Sequence, residues 1–200
     1  MTPKRPFPRG RVAFFVTSNV HKFNEARRVL AEYKVATALL NIKALEIQED
    51  NIENIAKASA IDAVKKCSLP IIVEDAGLSI DGLNGFPGPY SSYVHQTIGN
   101  QGILRLMKNI EKRNARFHSV VAFCSPEETP KCFHGRVTGK ISQEERGGSG
   151  FGFDPIFEPS GGRGKTFAEM TITEKNRYSH RARALRKFAE WYTKTLTQTQ

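Results

Sequence analysis

Residues 70–78 constrain the fold most strongly, because a run of β-branched residues leads directly into two adjacent carboxylates, Glu74 and Asp75. Such an apolar run predicts a short buried strand with both faces covered. The pattern predicts that this strand ends at the acidic pair and that Gly77 marks a turn. Neighbouring strand residues point to opposite faces, so we expect Glu74 and Asp75 to have different roles.

The acidic pair has two explanations. Ligands of open α/β sheets bind beyond the carboxyl ends of the strands, where carboxylates can hold a hard cation and activate a water. Alternatively, the pair is a polar turn after a core strand, with no function. This segment is compatible with both, so the choice depends on the rest of the chain.

The length suits one folded domain or two intimately joined lobes. A chain of 200 residues, of which 39% are hydrophobic and 25% charged, can bury one sizeable core. No apolar run reaches the length of about eighteen residues that a membrane helix needs. The basic start and the short apolar run at 12–16 do not resemble a secretory signal. Three widely spaced cysteines favour reduced thiols in the cytoplasm over disulfides or a zinc site.

The net charge of +10 permits two classes of partner, nucleic acid or a small polyanion such as a nucleoside triphosphate. Basic residues concentrate near the ends of the chain, at 4–11 and 177–187. The sequence has no Arg/Gly repeat and no recognised nucleic-acid motif. General basicity is therefore weak evidence for DNA or RNA binding.

The start of the chain predicts a strand at 12–16, a polar loop at 17–19 and a capped helix. The helix has an apolar stripe formed by Phe23, Ala26, Leu30 and Tyr33. A strand, a short loop and a helix N-terminus can bind an anion through free backbone N–H groups, and Lys22 adds a positive charge. An ordinary capped helix explains the same pattern.

The other elements follow from the same periodicities. Residues 35–45 predict a second strand, and 50–53 resemble a capping box that opens a helix ending near Cys67. Gly and Pro at 82–90 predict a rigid loop. The remaining predictions are a helix at 100–112, paired strands at 116–124 and 132–141, helical turns at 166–170 and 174–176, and a helix at 180–196 capped by Ser179.

Residues 147–157 are the second unusual stretch, because their glycines let the backbone approach a ligand closely. Phe151 and Phe153 are candidates for a stacking face, and Asp154 for a hydrogen-bond acceptor. A flexible surface loop is the alternative. His180 and Arg181 lie in the first turn of the last helix, where the helix dipole disfavours cations, so a function is suspected there.

Taken together, these motifs resemble the inosine triphosphate pyrophosphatase family, from about residue 11 to residue 191. Two positions depart from the family pattern: Ala76 replaces a common serine, which removes a hydroxyl contact, and Ser18 replaces a common glycine, so positive φ is not required there. The matching motifs are Thr17-Ser18-Asn19-Val20-His21-Lys22, Glu46, Lys57, Val73-Glu74-Asp75-Ala76-Gly77-Leu78, Gly85-Phe86-Pro87-Gly88-Pro89-Tyr90-Ser91, Phe151-Gly152-Phe153-Asp154-Pro155-Ile156-Phe157, Glu174-Lys175-Asn176 and Ser179-His180-Arg181.

The resemblance implies a two-lobed α/β fold around a long mixed sheet with flanking helices, an active-site cleft between the lobes, and a homodimer. It implies one domain over 11–196, with a basic extension at 1–10 and a polar tail at 197–200. The implied cofactor is Mg²⁺ and the implied location is the cytoplasm. We expect no membrane partner and no specific nucleic-acid partner.

The resemblance also implies a role for each matching residue. Glu46 and Asp75 match the magnesium ligands, and Asp75 also matches the proton acceptor. Residues 17–22 match the phosphate loop, and the residues after 150 match those that enclose and read the base. The residues expected to bind substrate are Thr17, Ser18, Asn19, Val20, His21, Lys22, Lys57, Ala76, Phe151, Gly152, Phe153, Asp154, Lys175, His180 and Arg181.

The implied reaction hydrolyses ITP, dITP and XTP, which are noncanonical purine nucleotides, to the monophosphate and pyrophosphate. Water attacks the α-phosphorus, with Asp75 as base and Glu74 as support or second candidate. A donor from Arg181 or His180 would pair with the 6-oxygen of the base, and would be left unpaired with adenine at a cost of about 1–3 kcal/mol. How guanine is excluded stays open.

Two functions of other classes remain. One is a basic nucleic-acid-binding module that uses Phe151 and Phe153 for stacking. The other is a phosphate-binding regulator without catalysis. Both leave Glu46, Glu74 and Asp75 without a purpose.

Overall fold

The computed structural model describes residues 12–197. Over these residues the chain forms seven strands in one sheet and six α-helices. The strands are β1 (Val12–Val16), β2 (Ala36–Leu40), β3 (Ile71–Ile80), β4 (Pro87–Gly88), β5 (Asn114–Cys124), β6 (Lys131–Ile141) and β7 (Phe157–Pro159). The helices are α1 (Val20–Ala31), α2 (Ile52–Cys67), α3 (Ser91–Thr97), α4 (Gly99–Leu106), α5 (Ile172–Tyr178) and α6 (His180–Thr197).

The sheet is mixed, and this confirms the predicted α/β class. Its strand order is β2-β1-β3-β5-β6-β7, with β4 beside β3. β1 runs parallel to β2 and β3, whereas β5 is antiparallel to both β3 and β6. The predicted extension at 1–10 and residues 198–200 of the predicted tail lie outside the described residues, and Thr197 still belongs to α6.

Helices cover the sheet on both faces. On one face, α1 and α6 pack on a cluster that includes Phe15, Ile72 and Phe188. On the other face, α2 packs on a cluster that includes Ile71 and Val73. Each fully buried side chain of this size contributes about 1.5–3 kcal/mol of hydrophobic stabilisation. β3 is therefore a core strand with both faces covered, as its apolar run predicts.

β3 does not end at the acidic pair, and the predicted turn at Gly77 is wrong. The strand pairs with β5 without interruption from Ile71 to Ile80. A Cβ at position 77 would collide with the carbonyl oxygen of Gly88. Gly77 therefore permits the close approach of β4 within the sheet. The strand can continue through Glu74 and Asp75 because both carboxylates have partners in the fold.

Three other boundaries differ from the predictions. β2 ends at Leu40, and residues 41–50 are irregular. The helix cap at 50–53 is Asn51, whose side chain accepts a bond from the amide of Glu53, so the predicted capping box is wrong. The helix predicted at 100–112 is α4, which begins at Gly99 and already ends at Leu106, and α3 before it was not predicted. The β5–β6 hairpin and the last helix, where the Ser179 side chain accepts from the amide of Ala182, are confirmed.

Candidate active site

Glu74 and Asp75 lie on opposite faces of β3, as predicted. Ile72 belongs to the core under α1 and α6, and Glu74 continues that face. Val73 belongs to the core under α2, and Asp75 continues that one. Glu74 is buried, whereas Asp75 is only half-buried. The two carboxylates therefore meet different surroundings.

Glu74 is held by three side chains from three other elements. Its Oε2 lies 3.0 Å from Lys22 Nζ, and its Oε1 accepts a 2.5 Å hydrogen bond from Ser119 Oγ and lies 3.2 Å from Arg181 Nε. Burial alone would raise the pKa of Glu74, but Arg181 and Lys22 outweigh burial and hold this pKa well below its usual value. Glu74 therefore stays ionised and fixes two cations.

Glu25 is a second hub. Its Oε1 accepts a bond from Lys175 Nζ and its Oε2 accepts one from Arg181 Nη1, both at 2.6 Å. Lys175 Nζ also donates to Asp154 Oδ2 at 2.5 Å. The charges balance, since three acids alternate with three bases, as buried charges require. We call this chain of contacts the buried ionic cluster; its members are Lys22, Glu74, Arg181, Glu25, Lys175 and Asp154.

The sequence patterns did not single out Glu25. The predicted apolar stripe of α1 contained Ala26 and Leu30, which are buried, but it left out Glu25 and Val29, which are buried as well. One signal was available. An acidic residue one turn after Lys22 and next to the buried Ala26 needs a buried cation, and Lys175 and Arg181 were already candidates.

Phe151 supplies the aromatic surface of the site. Lys175 Nζ lies 4.9 Å and Arg181 Cζ 5.3 Å from its ring centre, and His21 stacks on it at 5.3 Å. The amide of Phe151 donates to Asp154 Oδ2 at 2.8 Å, which ties the loop to the buried ionic cluster. A purine could use the part of this ring that remains exposed.

Phe153 does not join that surface. It is 3% exposed and packs in the core near β5–β7, with its ring edge-to-face against His95 at 5.3 Å. The neighbouring Gly152 adopts positive φ, and its carbonyl accepts a bond from Asn100. Phe153 is therefore not available as a stacking face, and stacking by Phe151 stays a prediction.

His180 is buried beside Arg181 at the start of α6. Its ring stacks on Phe117 at 4.4 Å, and its Nδ1 has no hydrogen-bond partner among residues 12–197. Burial, reinforced by Arg181, lowers the pKa of His180 well below its usual value. A neutral imidazole whose Nδ1 is unpaired is able to bond a polar group of a ligand.

The predicted phosphate loop has fewer free amides than expected. Thr17 Oγ1 accepts from the amide of Asn19, and Asn19 Oδ1 accepts from the amides of His21 and Lys22. Asn19 thus caps α1 with its own side chain. Ser18 and Val20 are exposed at this loop. The Lys22 side chain is therefore the main cationic group that this loop offers.

The other two lysines are placed differently from expectation. Lys57 pairs with Glu53 at 2.5 Å on α2, is 40% exposed, and makes no contact with the buried ionic cluster within residues 12–197. Lys175 is only 3% exposed and is already held by two carboxylates. A direct phosphate contact from Lys175 therefore requires a rearrangement of its carboxylate partners.

Asp75 differs from Glu74 in its electrostatics. Burial raises the pKa of Asp75, with Glu74 and Glu46 adding to the effect, while Lys22 and the amide of Ala76 oppose it. A carboxylate with a raised pKa is a better proton acceptor. Ala76 follows on the same strand and is half-buried.

Asp75 and Glu46 are the pair of carboxylates available for a metal. Glu46 lies in the irregular segment 41–50 and is exposed. Among residues 12–197 no group of three or more His, Cys, Asp or Glu side chains comes together to hold an ion. Mg²⁺ is usually bound by one or two carboxylates with waters and substrate phosphates, and this pair fits that donor set.

Comparison with known proteins identifies the family. Residues 13–191 match the model of the Ham1 family. The chain belongs to the Ham1 family. The resemblance drawn from the motifs is therefore confirmed. Within residues 12–197, this Ham1 chain contains no helix with the length and apolar character needed to cross a membrane.

Similar proteins support the same assignment. The chain is 48% identical to a dITP/XTP pyrophosphatase of Methanopyrus kandleri, over 89% of this chain and 94% of that protein. A protein of the same name from Thermococcus kodakarensis is also 48% identical, over 91% of this chain and 97% of that protein. A solved HAM1 protein from Coxiella burnetii superposes with a TM-score of 0.80 at 29% identity, covering 92% of this chain and 98% of that one.

Proposed function

We propose that this Ham1 chain hydrolyses ITP, dITP and XTP to the monophosphate and pyrophosphate. The observation that carries the proposal is the difference in surroundings between the two neighbouring carboxylates of β3. Glu74 is locked as an ionised anchor of Lys22 and Arg181, whereas Asp75 has a raised pKa and lies half-buried on the other face. The names of the relatives at 48% identity agree with this activity.

Asp75 is the proton acceptor for the attacking water in this mechanism. Its carboxylate has one oxygen bonded to the amide of Ala76 at 2.8 Å, which fixes its orientation and leaves the other oxygen for the water. Lys22 draws the phosphate chain toward the same strand. Mg²⁺, when held by Glu46 and Asp75, supplies further neutralisation of phosphate charge.

The base is read at the other end of the buried ionic cluster. Arg181 Nη1 donates to Glu25 and its Nε lies 3.2 Å from Glu74 Oε1, while Nη2 donates to no acceptor within residues 12–197. That donor, or the unpaired nitrogen of His180, pairs with the 6-oxygen of hypoxanthine or xanthine while Phe151 stacks on the ring. Adenine presents an amino group there and leaves the donor unpaired.

The proposal extends to assembly and location. The chain works as one two-lobed domain over residues 11–196 and as a homodimer. Phe86, Tyr90 and Tyr93 are 40%, 41% and 69% exposed around β4 and α3, and an apolar surface of this kind suits a second copy. Cys67, Cys124 and Cys132 are all free thiols, which suits the reducing cytoplasm.

The direct test is pyrophosphate release from ITP, dITP and XTP with Mg²⁺, with ATP as the control substrate. We expect release from the first three, little from ATP, and none after the metal is chelated. Absence of release with any divalent metal refutes the enzyme. ITP binding without turnover would favour the phosphate-binding regulator, and oligonucleotide binding alone would favour the nucleic-acid module.

A further inference from the structure

A cavity of about 680 Å³ lies between β6 and the first half of α6, outside the buried ionic cluster. We call it the basic edge cleft; its lining residues are His134, Gly135, Arg136, Arg183, Arg186 and Lys187. Four of the six are Arg or Lys, and none is acidic. The cleft contains much of the basic stretch at 177–187 for which the proposed activity has no use.

The cleft exists because β6 is an edge strand over part of its length. β6 pairs with β5 throughout but with β7 only at residues 139–141. The backbone before residue 139 therefore faces outward on that side. Arg183 Nη1 donates to the carbonyl of Arg136 at 2.8 Å, and Lys187 Nζ donates to the carbonyl of His134 at 2.7 Å.

These contacts fix the position of the two cations without neutralising them. Within residues 12–197, Arg136, Arg183 and Lys187 form no ion pair, whereas Arg186 is paired with Glu32 at 3.3 Å. One carbonyl uses a single donor of each side chain, so most donors of Arg183 and Lys187 stay free. In an antiparallel strand the N–H of a residue points to the same side as its carbonyl, so further backbone donors face this cleft.

We infer that the basic edge cleft is an anion site that takes a ligand with at least two linked phosphate groups. Arg183 and Lys187 are four residues apart on α6, or about 6 Å along the axis. The carbonyls that hold them are two residues apart on β6, or about 7 Å. Two linked phosphate groups match this arrangement, because one can lie beside each cation along the edge of β6.

Two sources supply this chemistry, the phosphodiester backbone of a nucleic acid and a free polyphosphate. The cleft has no aromatic residue other than His134, whose ring is stacked on His118 at 5.3 Å. Binding is therefore independent of base sequence, in contrast to a site with aromatic stacking platforms.

A purely structural role makes a different prediction. Basic side chains often cover the unpaired edge of a sheet and prevent pairing with another chain. If Arg183 and Lys187 do only this, their removal causes self-association and leaves phosphate binding unchanged.

The test compares two double variants with the same loss of charge. R183Q/K187Q alters the cleft, and K65Q/K108Q removes two exposed lysines that form no ion pair within residues 12–197. A labelled single-stranded oligothymidylate is titrated by fluorescence anisotropy over a range of salt. The plot of log K against log salt has a negative slope, and each lost phosphate contact makes it less steep by about 0.7. R183Q/K187Q should therefore make the slope less steep by about 1.4. At 0.1 M salt this corresponds to about 25-fold weaker binding.

Inorganic tripolyphosphate distinguishes the two sources. If tripolyphosphate displaces the oligonucleotide from wild type, free polyphosphate binds in the same cleft. If it does not, the cleft is a site for the phosphodiester backbone. The inference is overturned if the two double variants lose the same amount of oligonucleotide affinity. It is also overturned if wild type binds neither the oligonucleotide nor tripolyphosphate. If R183Q/K187Q does not fold, R136Q, whose side chain makes no contact with either carbonyl, is measured against K65Q in the same way. Hydrolysis of ITP, measured in parallel, reports on the catalytic site separately.

Discussion

Replacing Glu25 with Gln tests how much the charge of Glu25 contributes to the stability of the buried ionic cluster. The variant keeps the side-chain volume but removes the charge that Lys175 and Arg181 share, each at 2.6 Å. The three side chains are 3–4% exposed, so water cannot replace the lost partner. Removing one partner of a buried pair costs about 3–5 kcal/mol. Asp154 and Glu74 still hold the two cations, so we expect the lower end, about 3 kcal/mol.

Thermal unfolding measures this cost. In a domain of this size, a loss of 1 kcal/mol lowers Tm by about 2–4 °C, so Glu25→Gln should lower Tm by about 6–12 °C. The matched control is Glu53→Gln, in which the same substitution weakens two partly exposed contacts, with Lys57 and with His134. An exposed helical pair is worth about 0.3–0.5 kcal/mol, so the control should melt within about 2 °C of wild type.

The pH dependence has a defined sign. Burial alone would raise the pKa of Glu25, but Arg181 and Lys175 outweigh it and hold this pKa below the usual 4.5. Because the folded pKa is below the unfolded one, the stabilisation is complete above pH 4.5 and is lost as pH falls toward the folded value. The Tm difference from wild type should therefore narrow in acid. A neutral-pH difference under about 2 °C, or one that widens in acid, would refute the reasoning.

The remaining predictions concern the reaction. Asp75→Asn should abolish ITP hydrolysis with little change in Tm, and near-normal turnover would remove Asp75 from the mechanism. Lys22→Ala should raise KM for ITP more than it changes the ITP/ATP ratio, and an unchanged KM would place the triphosphate elsewhere. Arg181→Ala should narrow the ratio of kcat/KM for ITP to kcat/KM for ATP by about ten- to a hundredfold. An equal loss of kcat/KM on both substrates would leave Arg181 with a structural role only.

Local patterns predicted much of the fold. The strand-and-helix start at β1 and α1, the β5–β6 hairpin and α6 follow from periodicity and capping residues that are adjacent in sequence. The end of β3 could not be predicted from such local patterns. A pair of carboxylates after an apolar run normally signals exposure, and only contacts from α1, β5 and α6 make Glu74 a buried residue.

The site shows the same limit. Family motifs predicted roles for Asp75, Phe151 and Arg181, and the structure brings Arg181 and Phe151 together. The motifs could not show that Lys175 is enclosed by carboxylates or that Phe153 belongs to the core. Those facts depend on long-range packing, in which a residue type alone does not determine the environment.

Glu74 links two residues that the proposed function places at opposite ends of the nucleotide. Its Oε1 lies beside Arg181, proposed for the base, and its Oε2 beside Lys22, proposed for the phosphates. Ser119 also donates to Oε1, so the carboxylate stays anchored to β5 when Arg181 changes its partner. In the proposed mechanism one carboxylate therefore contacts both recognition groups, and a substitution at Glu74 should change base choice and phosphate affinity together.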